Sequence, residues 1–183
     1  MRILGIDPGL RLTGYACLEQ ATDAAETPVL LEAGVFRLDQ RARGAEAMGA
    51  TAKTAASVSA RLVELDRDFR EALERLQPEV VAVESLFAHY NHPATAIVMG
   101  HARGVLLLAI RQAGCRLIEL KPNEVKKSLT GHGHASKAQM QTTVQRVFGL
   151  AEPPSPPDIA DAIAVALCAA TRAQGASVEY GFR

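Results

Sequence analysis

The chain has 183 residues, 48% of them hydrophobic, which is enough for one sizeable core and argues against intrinsic disorder. Its three cysteines, Cys17, Cys115 and Cys168, are far apart and form no C-x-x-C pair, which argues against a zinc site and a disulfide framework. The net charge is zero, but residues 100–150 carry eight Lys and Arg against two Asp and Glu. Such a segment can bind phosphates, although a neutral fold can also carry it on a solvated face.

The N-terminal residues MRILGID have the pattern of a strand and lack the long apolar stretch and cleavage site of a secretory signal. No apolar run approaches the ~18 residues that are needed to span a bilayer. We therefore expect a soluble, cytoplasmic protein with no membrane partner.

The first three predicted elements are strands. Residues 2–7 form a short apolar run that a Pro-Gly turn signal follows. Residues 13–17 alternate as in a second strand, and residues 29–37 have the composition of a third. Their short connections favour antiparallel pairing, and residues 38–57 are predicted to be a loop that leads into a helix.

The rest of the chain alternates helical and strand patterns. The predicted elements are a helix over 58–76, a strand over 80–84, a helix over 93–113, a strand over 115–120, and helices over about 122–131, 136–148 and 158–173. Strands that are separated by long helices require crossovers and therefore pair in parallel. The sequence thus predicts an α/β fold with a mixed sheet flanked by helices, in a single domain over residues 1–183 with a tail from about 174.

Two acidic residues stand at the ends of apolar strands. Asp7 ends the first strand and Glu84 ends the strand VVAVE, although burying an unpaired carboxylate is costly. If these strands are neighbours, both carboxylates project from the same edge of the sheet. Asp158 and Asp161 are three residues apart, so they share one face at the start of the last helix.

Four carboxylates that converge would repel one another and hold protons unless a cation lay between them. Oxygen-only ligands suit Mg²⁺ or Mn²⁺. Two such ions ~3.5–4 Å apart are the standard arrangement for in-line attack of water on a phosphodiester. The spacing alone leaves open an alternative in which Asp158 only caps the helix and Asp161 is solvated.

Five segments resemble the signature blocks of the RuvC family of Holliday-junction resolvases, in the family's order and over nearly the whole chain. They are GIDPGLRLTGYA (5–16), VESLFAHYN (83–91), GHARGVLL (100–107), VKKSLTGHGHASKAQM (125–140) and PDIADAIAVAL (157–167). The resemblance implies a ribonuclease H-like fold and a homodimer that requires Mg²⁺ or Mn²⁺. It also implies an endonuclease that resolves four-way DNA junctions in recombination and repair by paired nicks with 5′-phosphate and 3′-hydroxyl ends, and cooperation with the RuvA–RuvB branch-migration complex.

The resemblance places the family's four acidic positions on Asp7, Glu84, Asp158 and Asp161, which we predict to be catalytic and to bind two metal ions per active site. The third of these positions is a histidine in some members of the family. The chain departs from the family's pattern in the stretch 41–57, which is longer than the resemblance predicts.

Five further residues are candidates for contacts with DNA. Lys126 and Lys137 match basic positions near the scissile phosphate, and Lys137 is predicted to be catalytic because it can stabilise the charge of the transition state. Lys127 is a further candidate, or a solvated neighbour. Phe87 matches an aromatic residue that stacks on a base in the family, and Tyr90 lies three residues further on. Core packing remains the alternative for both rings.

Gly100 and Gly104 lie four residues apart on the second long helix, and each permits close approach of another backbone. This approach could be packing on the sheet or a contact between two protomers. We favour the second interpretation because cutting two opposed strands requires two related sites.

Three rival functions remain. An actin-like ATPase or sugar kinase also ends its first strand in Asp and a Gly turn, but here no second D-x-G turn follows a strand, and the chain is short for that class. A DNA-binding module without activity would not need all four acids. Another ribonuclease H-like nuclease is the nearest alternative.

Overall fold

The computed structural model describes residues 1–9, 11–20, 27–38, 55–85 and 93–179. In chain order its elements are β1 (Arg2–Asp7), β2 (Leu12–Glu19), β3 (Val29–Arg37), α1 (Ala55–Leu76), β4 (Val80–Glu84), α2 (Pro93–Gln112), β5 (Arg116–Leu120), α3 (Pro122–Thr130), α4 (Lys137–Phe148) and α5 (Pro157–Glu179). No helix in these ranges combines the length and the apolarity that crossing a membrane requires.

The five strands form one mixed sheet in the order β3-β2-β1-β4-β5. Strand β2 pairs antiparallel with both β1 and β3, whereas β4 pairs in parallel with β1 and with β5. This arrangement confirms the predicted meander and crossovers. It also makes β1 and β4 neighbours, which is the condition for their terminal acids to meet.

Strand side chains alternate between two apolar layers, one on each face of the sheet. On one face, Leu4 and Ile6 pack in a buried cluster with residues of α1 and α2, including Phe69 and Leu106. On the other face, Ile3 belongs to a buried cluster that residues of α3, α4 and α5 complete. Because side chains alternate along a strand, Asp7 at the end of β1 lies on the same face as Ile3, which is the face that α5 covers.

The caps of the shorter helices follow their sequence signals. A capping box opens α4, since the Ser136 hydroxyl accepts from the Gln139 N–H and the Gln139 side chain accepts from the Ser136 N–H. Helix α3 begins with Pro122 and ends at Gly131, whose φ of 78° is left-handed.

The predicted end of the last helix and the predicted loop at 38–57 differ from the elements of the structure or lie mostly outside the described residues. Helix α5 continues to Glu179, beyond the predicted end at Ala173, because a loss of apolar periodicity does not end a helix when no proline follows. Most of the predicted loop at 38–57 lies outside the described residues, and its last three residues belong to α1.

Candidate active site

Asp7 and Glu84 lie side by side at the carboxyl ends of parallel strands. Ile6 is the Cα partner of Val83 across the β1–β4 ladder, so the next residue on each strand is an acid. Ile3 of β1 and Ala82 of β4 pack in the buried cluster on the α5 face. Asp7 and Glu84 lie an even number of residues further along the same strands, so their side chains point to that face as well. The two carboxylates therefore project from one edge of one face of the sheet, as the sequence predicts.

Helix α5 brings the other two acids to this edge. Asp158 and Asp161 lie in its first two turns, and the helix packs across β1 and β2. Gly14 on β2 is the cross-strand partner of Asp7, and a Cβ at Gly14 would lie 2.1 Å from the carbonyl oxygen of Asp158. The start of α5 thus rests directly on strand backbone beside Asp7.

A second glycine allows a similar close approach of the helix one turn further along α5. We call the contact of α5 with Gly14 and Gly5 the glycine seat. A Cβ at Gly5 would lie 2.4 Å from the Ala162 carbonyl oxygen and from the Ala166 nitrogen. Neither glycine is predicted as a functional position from the sequence. The available signal was a glycine inside each strand pattern, which often marks close approach of another backbone.

The turn after Asp7 is fixed by a buried threonine. The Thr13 hydroxyl donates to the Gly9 carbonyl oxygen at 2.5 Å and accepts from the Gly9 N–H at 3.2 Å. A Cβ at Gly9 would lie 2.0 Å from the Leu12 carbonyl oxygen, so this turn requires glycine. The tight turn holds the end of β1 in place, and with it the backbone of Asp7.

Burial and mutual repulsion dominate the electrostatics of Asp7. Desolvation is the largest cause that raises the pKa of its carboxyl group, and the charges of Glu84, Asp161 and Asp158 follow. Lys137 opposes these effects, and the resulting pKa is about 8. The carboxyl group of Asp7 is therefore mostly protonated at neutral pH in the metal-free protein.

The pKa of Glu84 is raised to about 7, by burial first and then by Asp161, while Lys126 and Lys137 oppose the shift. The pKa of Asp161 is also raised, mainly by burial, against the same two lysines. All four predicted acids and two of the three predicted lysines, Lys126 and Lys137, are therefore close enough to form one electrostatic cluster.

The lysines reach this cluster from two helices. Lys137 is the first residue of α4, directly after the capping box, and half-buried Lys126 lies in α3. Lys127 is exposed and lies about 100° further around α3, so it does not share the direction of its neighbour. Phe87 and Tyr90 lie outside the described residues, between Ser85 and Pro93.

The donor set fits a hard divalent cation. Within the described ranges, no group of three His, Cys, Asp or Glu side chains lies close enough together to hold a metal ion as it stands. Burial first, and then the charges of the neighbouring carboxylates, raise the pKa values of Asp7, Glu84 and Asp161, and a bound cation would offset both effects. The oxygen-only carboxylates match the preference of Mg²⁺ and Mn²⁺.

A family model described as "Crossover junction endodeoxyribonuclease RuvC" matches residues 3–169. The protein of that name from Moorella thermoacetica is 41% identical over 171 residues, which cover 93% of this chain and 92% of the relative. The one from Synechococcus sp. (strain WH7803) is 38% identical over 167 residues, which cover 91% of this chain and 96% of the relative.

The fold has a solved counterpart. The structure of Thermus thermophilus RuvC in complex with Holliday junction substrate is similar with a TM-score of 0.79 and 32% sequence identity, over 97% of both chains. This likeness confirms the predicted ribonuclease H-like fold. The chain belongs to the RuvC family of crossover junction endodeoxyribonucleases.

Proposed function

We propose that this protein resolves four-way DNA junctions by metal-dependent hydrolysis of phosphodiesters, with Asp7, Glu84, Asp158 and Asp161 as the catalytic metal ligands. The observation that carries the proposal is the convergence of these four acids on one face of the sheet, where burial and repulsion raise the pKa of Asp7 to about 8. The solved relative that is bound to a Holliday junction supports the choice of substrate.

Mg²⁺ or Mn²⁺, two ions per site, would supply activation of the attacking water and neutralisation of charge at the phosphodiester. The four carboxylates hold the ions and fix the face from which the DNA is attacked. Lys137 and Lys126 lie near enough to lower the pKa of Glu84, so their ammonium groups can also stabilise negative charge on a phosphate at the same place.

DNA would lie across the basic surface of α3 and α4. Lys126, Lys127 and Lys137 are the proposed phosphate contacts, whose binding energy is spread over many residues and depends on salt. Phe87 and Tyr90 are the proposed base contacts, because both follow Glu84 within six residues. An aromatic ring that stacks on an unpaired base would hold the crossover open near the acids.

A homodimer would place two such sites on opposed strands, and helix α2 offers a face for it. Among the described residues, a Cβ at Gly100 or Gly104 would meet no atom within 4 Å, which supports an outward-facing role over packing on the sheet. Ile97 and Leu108, one helical repeat away on the same face, are 60% and 56% exposed. A two-fold contact would bury this face against itself.

Cooperation with the RuvA–RuvB branch-migration complex and a cytoplasmic location complete the proposal. Both rest on the resemblance to the family. A pull-down of purified RuvA and RuvB with the tagged protein on junction DNA would test the first of these.

The activity is tested with labelled four-way junctions and linear duplexes of the same sequences, each with Mg²⁺, with Mn²⁺ and with EDTA. We expect cleavage of the junction alone, only with metal, as two symmetric nicks that DNA ligase seals. Equal cleavage of the linear duplex would favour another ribonuclease H-like nuclease, and nicks that ligase cannot seal would contradict the proposed mechanism.

A further inference from the structure

Arg103 of α2 connects three elements behind the candidate site. Its guanidinium donates to the backbone carbonyl oxygen of Glu84 at 2.7 Å and to the carboxylate of Glu119 at 2.6 Å. Its side chain is only 11% exposed. A nearly buried arginine with two well-formed contacts has a fixed orientation, in contrast to a solvated surface charge.

This arginine lies on the opposite face of the sheet from the four acids. Glu119 on β5 is the Cα partner of Val83, and Val83 packs in the cluster with α1 and α2. The guanidinium therefore approaches the end of β4 from the face that α1 and α2 cover. Its influence on the site has to pass through the backbone of Glu84.

The peptide group between Glu84 and Ser85 is held at both of its polar atoms. Arg103 donates to its carbonyl oxygen, and its N–H donates to the Leu120 carbonyl oxygen at 2.8 Å. The Ser85 hydroxyl donates to the same Leu120 oxygen at 3.0 Å. Because a peptide group is planar, the two hydrogen bonds fix its tilt. Since ladders with β1 and β5 hold the preceding residues of β4, this tilt sets the direction in which the Glu84 side chain leaves the strand.

We infer that Arg103 is a positioning residue that directs the Glu84 carboxylate into the metal site. The inference rests on the proposed function. Lysine cannot replace arginine here, because a single ammonium group does not reproduce the planar fork that bridges a carbonyl and a carboxylate. Partners behind a metal ligand typically account for about 10–100-fold in metal affinity.

The test measures Mn²⁺ binding to the free protein by electron paramagnetic resonance, together with melting temperature and single-turnover cleavage. Arg103→Gln and Arg103→Lys are compared with Glu119→Gln, which removes the ion pair but leaves the contact to Glu84. Arg111→Gln, an exposed arginine of the same helix, is the matched control.

We expect Arg103→Gln and Arg103→Lys to weaken Mn²⁺ binding by about tenfold or more. Glu119→Gln should bind Mn²⁺ within about twofold of wild type, even if its melting temperature falls as far as that of the Arg103 variants, because it keeps the contact between Arg103 and Glu84. Wild-type affinity in both Arg103 variants, or an equal loss in Glu119→Gln, would overturn the inference while leaving the proposed function intact. A wild-type protein that binds no Mn²⁺ would overturn both.

Discussion

At the scale of single residues, burial and then mutual repulsion raise the pKa values of the carboxyl groups in the candidate site. Asp7 and Glu84 have pKa values of about 8 and about 7, well above those of ordinary carboxyl groups. A proton or a divalent cation must therefore neutralise them when the site is folded. This requirement makes the function of the site measurable in the free protein, as metal affinity, proton release and stability.

Replacing Asp7 with asparagine should stabilise the metal-free protein while abolishing cleavage. A raised pKa means that the folded protein holds a proton that the unfolded chain releases, so stability falls as pH rises from about 4 to 8. Asp7→Asn removes this loss, and we expect the melting temperature in EDTA to rise by about 3 °C or more at pH 8 and by less at pH 4.5. Glu152→Gln, an exposed acid outside the site, is the control. An unchanged melting temperature at pH 8, or retained cleavage, would contradict the role of Asp7.

Metal affinity should rise with pH. Because the pKa values of Asp7 and Glu84 lie near 8 and 7, protons compete with the metal below neutral pH and are released when it binds. Calorimetric titration with Mn²⁺ between pH 6 and 8.5 should show tighter binding at higher pH, with proton release at pH 7 in buffers of different ionisation enthalpy. Affinity that does not change over this range would argue against binding at these acids.

The four acids have a positional signal in the sequence, but spacing alone leaves open a purely structural role for Asp158 and Asp161. The resemblance to the RuvC family assigns these two acids to the site, and it also singles out Lys126, Lys137 and Phe87. Asp7 and Glu84 end apolar strands, where the core gives no reason for an acid, and Asp158 and Asp161 share one helix face. Arg103 carried no such signal, because its decisive partner is a backbone carbonyl that any residue would provide.

At the scale of elements, the glycine seat lets helix α5 pack directly on the backbone of β1 and β2. This contact places Asp158 and Asp161 beside the ends of β1 and β4. Apolar patterns predicted the extents of β3 and β4 because turn-forming residues bound them. The patterns could not predict that α5 crosses Gly5 and Gly14, because the path of a helix over a sheet depends on contacts between residues that are about 150 positions apart.

Gly14→Ala should impair cleavage out of proportion to its effect on stability. Its Cβ would meet the Asp158 backbone at 2.1 Å, so the first turn of α5 must move away from Asp7. A shift of about 1 Å can cost ~100-fold in rate. Gly5→Ala, which meets the same helix one turn later, is the matched comparison. Single-turnover rates and melting temperatures decide the point. If Gly14→Ala and Gly5→Ala lower the melting temperature equally and also lower the cleavage rate equally, the glycine seat has only a structural role.

At the scale of the whole molecule, the proposed dimer joins two sites through α2. Gly104→Glu should disrupt it, because two-fold symmetry would bring the new charge against its copy. The exposed helix of the monomer should tolerate glutamate well. Light scattering at micromolar concentration should therefore detect a monomer. In the cleavage assay this monomer should nick one strand of the junction at a time, without the paired, symmetric nicks of the dimer. Val63→Glu, at a side chain of α1 that is 69% exposed, should remain a dimer. A dimeric Gly104→Glu variant together with a monomeric Val63→Glu variant would show that the interface does not lie on α2.

We propose that strands β1 and β4 and helix α5 assemble one metal site. A crystal of the protein soaked in Mn²⁺ tests it directly, since anomalous scattering locates the metal without reference to activity. We predict two Mn²⁺ peaks ~3.5–4 Å apart, both ligated by carboxylate oxygens of Asp7, Glu84, Asp158 and Asp161. Ordered Mn²⁺ elsewhere on the protein, with these four carboxylates free of metal, would contradict the account.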